Sequence, residues 1–215
     1  MFGSKAVDRF AAIVAQKTGL QQQGGRFVGQ FQGYSAWSQT QMVGDHAASL
    51  RGGGGLLGGL GALMGGGTGG MVHAMTGGTF FMKHDYVIEL PGWQLPGGSI
   101  RETNSFLVDK SYQQRPAIGQ RVASGIPWID GRFEVCSNDP RFPPYVCAWP
   151  ELQQHLQHWP FVNLSWEPQR VWIELLDSVT RISSKFSTEA QQNGDMVLQG
   201  MSLVASAVRA CQARQ

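Results

Sequence analysis

The sequence predicts an α+β fold: a largely antiparallel sheet packed with helices at both ends of the chain, with a glycine-rich inserted loop. Three observations carry this expectation. Residues 4–22 and 195–213 place apolar side chains at helical spacing. Residues 26–42, 79–90, 132–136 and 162–175 alternate or are rich in aromatic and β-branched residues. Residues 52–78 hold 14 glycines in 27 positions, and no formal charge occurs between Arg51 and Lys83. With 215 residues, 42% of them hydrophobic, the chain can bury one sizeable core, so a single domain over 1–215 is expected, with 52–78 a flexible segment within it.

Ser4 can cap the first helix, whose face is Val7, Phe10, Ala11 and Val14, and Gly24-Gly25 is expected to stop it. Arg26 to Gly33 then alternates, with Phe27 and Phe31 on one side, and Tyr34 to Met42 continues as a second extended piece. Order resumes at Thr79 with a strand containing Phe80, Phe81, Tyr86, Val87 and Ile88, closed by turns at Pro91-Gly92 and Pro96-Gly97-Gly98. Ser99 to Gly125 is poorly patterned, with a short strand expected over Ser105 to Asp109.

The second half is more regular. Arg132 to Cys136 alternates as a strand, and Asn138-Asp139-Pro140 signals a helix start that Pro143-Pro144 limits to about one turn. Pro150 opens a helix bearing Leu152, Leu156 and Trp159, which Pro160 closes. Val162, Leu164 and Trp166, a turn at Glu167 to Arg170, and Val171, Ile173 and Leu175 form a hairpin. Ser183 to Asp195 reads as a polar loop. The last helix follows, with the stripe Val197, Met201, Val204, Val208 and Cys211.

The net charge of +2 and the scattering of the 17 basic residues argue against a nucleic-acid partner, which needs Lys and Arg gathered on one face. Charged residues make up 15% of the chain, below the ~25% usual for soluble domains, and such a surface favours self-association. Cys136, Cys147 and Cys211 are odd in number and lack C-x-x-C spacing, which suits reduced thiols in a cytoplasmic setting; a Cys136–Cys147 bridge stays open. Asp8 and Arg9 interrupt any signal-peptide core at the N-terminus.

The succession Arg132-Phe133-Glu134-Val135, Asn138-Asp139-Pro140, Trp149-Pro150-Glu151-Leu152, hairpin and terminal helix resembles an uncharacterised bacterial domain-of-unknown-function family over about residues 127–176. The glycine-rich segment departs from that family's pattern. Some members carry membrane-spanning helices ahead of the domain, where this chain has none. The resemblance implies the fold and no catalytic residue.

Each candidate site also has a plainer reading. Gly53-x-Gly55-x-x-Gly58 and Gly65-x-Gly67-x-x-Gly70 match the dinucleotide pattern, with Asp85 near the position of a ribose-binding acid. No strand precedes them and the following glycines oppose a helix, so no cofactor is expected. Residues 56–75 are long enough to span a bilayer, and Leu56, Leu57, Leu60, Leu63 and Met64 are the candidates for membrane or self-association contact. Gly54, Gly58, Ala62, Gly66 and Gly70 form a small-xxx-small series. Yet eight of these twenty residues are glycine, each costing ~1 kcal/mol of helix propensity, so a flexible loop is the plainer reading.

Glu151, His155 and His158 are the metal-like spacing, one helix presenting a carboxylate and two imidazoles; without a further ligand they read as a solvated flank, and no metal is expected. Of the seven tryptophans, Trp166 and Trp172 flank the hairpin turn and are assigned with Trp159 to the core rather than to sugar stacking or a membrane interface. No nucleophile elbow or enforced carboxylate pair occurs. The expected function is a non-catalytic binding or protein-interaction module, engaging a protein partner or a second copy. The alternatives are a peripheral membrane protein using the glycine-rich apolar segment, or a hydrolase with unrecognised residues.

Overall fold

The computed structural model describes residues 2–43, 81–103, 115–159, 162–178 and 190–213. Nine strands form one antiparallel sheet: β1 (Gln21–Gln23), β2 (Arg26–Phe31), β3 (Tyr34–Val43), β4 (Phe81–Glu89), β5 (Gly98–Glu102), β6 (Gln120–Arg121), β7 (Phe133–Ser137), β8 (Val162–Glu167) and β9 (Arg170–Ser178). Their spatial order is β1-β2-β3-β4-β9-β8-β5-β7-β6. Among the described residues, five helices accompany them: α1 (Phe2–Thr18), α2 (Pro127–Arg132), α3 (Phe142–Cys147), α4 (Pro150–His158) and α5 (Ala190–Gln212). The predicted α+β class, with an antiparallel sheet and helices at both ends, is thus what the chain adopts.

Local chemistry accounts for most boundaries. Helix α1 stops earlier than its sequence suggests. Gly19 adopts φ +77°, the left-handed conformation that ends helices, and Leu20 N–H donates to Thr18 Oγ1 at 3.2 Å. Gly24-Gly25 instead turns β1 into β2. Gln32 and Gly33 both have positive φ, as the tight two-residue connection between β2 and β3 requires. The expected hairpin is β8–β9, with Val162, Leu164, Trp166, Val171, Ile173 and Leu175 all buried.

Several elements differ from the expectation. Strand β6 lies where the sequence predicts none, and α3 begins at Phe142 with Pro143-Pro144 in its first turn, not at Asn138-Asp139-Pro140 with those prolines as its end. Strand β5 opens the poorly patterned stretch and lies between β8 and β7. Residues 127–132 form α2, so Arg132 ends a helix and the strand expected from it begins at Phe133. Helix α5 begins at Ala190, inside the region read as loop. The strand expected over 105–109 and the glycine-rich residues 52–78 lie outside the described residues.

Helix α5 is the organising element. It packs against α1, α3, α4, β4 and β9. Its stripe Val197, Met201, Val204, Val208 and Cys211 is buried, and so are Leu203, Ala205, Ser206, Ala207 and Ala210, so the second half of the helix is enclosed on nearly every side rather than along one face. Gly200 lies directly on Tyr86: a Cβ there would stand 2.3 Å from the ring, so only glycine permits this approach. Gly98 plays the same part beneath Trp166, whose indole would lie 2.3 Å from a Cβ. Arg132 ties β5 to the end of α4. It holds Glu102 through Nε and Nη2 at 2.9–3.1 Å and donates to the carbonyls of Leu156 (3.0 Å) and Trp159 (2.6 Å), satisfying acceptors that a helix end leaves open.

Candidate functional site: the charged face of the sheet

Side chains alternate along a strand, and β4 divides sharply. His84, Tyr86 and Ile88 point to the face that α5 covers; Lys83, Asp85, Val87 and Glu89 point away. The register Asp85↔Glu174 sets two carboxylates opposite each other on neighbouring strands, an arrangement that repels unless a cation intervenes. Lys83 supplies it, with Nζ 3.3 Å from Asp85 Oδ2 and 3.2 Å from Glu174 Oε2. Trp172 Nε1 donates to Asp85 Oδ1 at 3.1 Å, and Asn163 Nδ2 donates to Glu174 Oε1 at 3.2 Å. Asp85 and Glu174 are only 2% and 1% exposed. Burial pushes the Asp85 carboxyl above its usual range; Lys83 opposes that shift and Glu174 reinforces it.

Around this cluster lies an aromatic and arginine layer. Trp37 and Trp172 meet edge to face, with centroids 5.3 Å apart at 74°. Arg26 stands 4.5 Å over Trp37, and Arg115 stands 3.1 Å over Trp172, with Arg170 at 5.3 Å from the same ring. Trp37 Nε1 donates to Glu89 at 3.3 Å, while Arg170 pairs with Glu167 at 2.7 Å and Arg101 with Glu134 at 2.7 Å. Both tryptophans remain half-buried, and Arg26 is exposed. Below Arg115, a cavity of about 10 Å³ lies between β5, β8 and β9. A second, open concavity of about 270 Å³ flanks α2, β6 and β7, lined by Arg121, Val122, Ala123, Asp130, Phe133 and Val135.

The metal-like trio sits elsewhere. Glu151 Oε2 accepts from Arg209 Nη2 at 2.6 Å and Nε at 3.1 Å, and Arg209 holds the carboxyl below its usual range. His158 Nδ1 lies 2.5 Å from the Gln154 carbonyl, and burial lowers the His155 pKa. Among the described residues, no three His, Cys, Asp or Glu side chains gather as a metal-holding group. Cys136, Cys147 and Cys211 are free and buried, so the bridge left open by the sequence does not form. Burial pushes the Cys147 and Cys211 thiols up to about 12, far from a reactive thiolate.

Leu56, Leu57, Leu60, Leu63 and Met64 lie outside the described residues. Among those that are described, no helix is long and apolar enough to cross a membrane. Trp172 corrects a core assignment. It pairs across from Ser165, one residue out of phase with Trp166↔Val171, and therefore faces away from the helices.

Sequence reasoning missed Lys83, Asp85 and Glu174 as a group. The signal was available in part: Lys83-x-Asp85 has strand parity opposite to Tyr86 and Ile88, and Glu174 has parity opposite to Ile173. Only the register brings them together. No family model, curated protein or solved structure matches the chain.

Proposed function

We propose that this chain is a non-catalytic binding module that engages a protein partner through the tryptophan–arginine face of its sheet. One observation carries the reading: two half-buried tryptophans form a pair, Trp172 held by the buried Asp85 and Trp37 by the half-buried Glu89, and are overlaid by Arg26, Arg115 and Arg170. Tryptophan and arginine are the residue types that most often dominate interface energy. Their ordering here is already met by the fold, through Trp172–Asp85 and Trp37–Glu89 hydrogen bonds, so a partner would not have to immobilise them. The Asp85–Glu174 pair is a weaker basis for hydrolysis. Both carboxylates are buried, and the cavity that Glu174 lines is only about 10 Å³, far below the ~300 Å³ of a typical small-molecule pocket.

The reading is tested by affinity capture with wild-type chain and with Arg26→Glu and Trp37→Ala variants of unchanged fold. A partner held through this face should bind at least ~30-fold more weakly to Trp37→Ala, a hot-spot loss of about 2 kcal/mol. Equal capture by all three proteins would sink it. Concentration-dependent sedimentation of the wild type alone, lost in both variants, would identify the partner as a second copy. Sedimentation with liposomes regardless of either substitution would favour membrane association, and turnover in an esterase, phosphatase and peptidase screen that Glu174→Gln abolishes would favour a hydrolase.

A further inference from the structure

We infer that the small cavity beneath Arg115 is a built site for one internal water molecule, which joins the two halves of the charged face. The cavity is walled by Ser99, Arg101, Arg115, Asn163, Trp172 and Glu174, and its volume of about 10 Å³ matches a single water. Two of these residues own fully buried polar atoms without a hydrogen-bond partner: Arg101 Nε and Glu174 Oε2. Their other atoms are committed. Arg101 donates from Nη1 to the Arg115 carbonyl at 3.0 Å and pairs through Nη2 with Glu134. Glu174 receives Asn163 on Oε1, and its Oε2 faces Lys83 as an ion pair at 3.2 Å without hydrogen-bond geometry.

The chemistry of the wall selects the occupant. Arg101 Nε–H can only donate and Glu174 Oε2 can only accept, so the ligand must both accept and donate. An anion would face Glu174, with Asp85 close behind it; a cation would face Arg101 and Arg115. A neutral molecule of one heavy atom is left. Water accepts from Arg101 and donates to Glu174, and the Ser99 hydroxyl in the same wall supplies another partner. The guanidinium of Arg115, 3.1 Å over the Trp172 ring, lines the same cavity. Leaving a buried polar atom of a charged group unpaired is costly, so this water belongs to the folded state. It would couple the Arg101–Glu134 pair on β5 and β7 to the Lys83–Asp85–Glu174 cluster on β4 and β9. This inference does not depend on the partner proposed above.

The test uses nuclear magnetic resonance on the full chain labelled at the arginine side chains. Arg101 Nε–H should show a cross-relaxation peak to water with the sign of a molecule that tumbles with the protein, together with slow exchange with bulk solvent. Ser165→Thr, which adds a methyl group at a residue that also lines the cavity, should remove that peak and lower by one the number of long-lived waters counted by oxygen-17 relaxation dispersion. Should Ser165→Thr fail to fold, the wild-type spectrum decides alone. Rapid exchange of Arg101 Nε–H with bulk solvent, or cross-peaks from it to protein protons only, would overturn the inference.

Discussion

On the face of β4 that α5 covers, Tyr86 and Ile88 are 1% and 0% exposed; on the opposite face of the same strand, Asp85 and Val87 are 2% and 0% exposed. The depth is the same and the chemistry is not. The covered face continues through Ala36, Ile173, Leu175, Leu164, Ile100 and Val135, an apolar surface whose stability scales with the area and volume removed from water. The opposite face sets Lys83, Asp85, Glu174, Asn163 and Arg101 among tryptophans. There each polar atom must find a partner, because an ion pair removed from water gains little over an apolar replacement but costs much when broken. Burial therefore means two things in one sheet. One face tolerates chemical change at constant volume, and the other tolerates volume change better than loss of a partner.

The largest effect expected is on the covered face. Trp166→Ala removes a fully buried indole packed against Phe142 at 5.8 Å and should cost about 4 kcal/mol in urea denaturation. A cost below about 1 kcal/mol would mean that this face is not a close-packed core. Next comes Lys83→Met, which keeps the length and removes the charge between Asp85 and Glu174. A loss of about 3 kcal/mol is expected, discounted because the Lys83 side chain is 18% exposed. The decisive measurement is the double variant: adding Glu174→Gln should recover more than half of the loss. No recovery would show that Lys83 acts by packing and that the two faces obey the same rule.

A third effect comes from His84 on the covered face. His84 is buried, its Nδ1 lies 3.0 Å from Thr40 Oγ1, and burial lowers its pKa to about 4 from the ordinary 6.5. Between those values the unfolded chain binds a proton that the folded chain refuses. Stability should then fall as pH drops from 6.5 to 4, by up to about 3 kcal/mol, and stay level above that window. Asp85 acts with the opposite sign, since a carboxyl raised by burial favours the folded state as pH falls. Comparing wild type with His84→Phe separates the two. The slope between pH 6.5 and 4 should flatten in the variant, and an unchanged slope would assign it to carboxylates instead. The smallest effect is Arg26→Ala. Its side chain is exposed over Trp37, so thermal stability should change by less than about 1 kcal/mol while capture of a partner drops. A larger loss of stability would make Arg26 a structural residue rather than a contact.

The sequence by itself determined the features that depend on near neighbours. The β8–β9 hairpin was legible because Val162, Leu164, Trp166, Val171, Ile173 and Leu175 repeat every second residue. The stripe of α5 was legible because Val197, Met201, Val204 and Val208 recur at helical spacing. Proline chemistry marked α4 for the same reason, with Pro150 opening it within its own turn; Asn138-Asp139-Pro140 instead forms a turn, in which Asp139 Oδ1 accepts from Arg141 N at 3.0 Å, and α3 begins beyond it at Phe142. What the tertiary structure alone decided is what depends on distant partners. Gly98–Glu102 is a strand because β7 and β8 flank it and Trp166 needs a residue without a side chain beneath its ring. Asp85 and Glu174 form a site because one register among several sets residues 89 positions apart opposite each other. Periodicity is a property of a single strand and survives in any arrangement. Register and strand order come from the free energy of the whole sheet, in which a shift of one residue would turn every buried side chain to the wrong face.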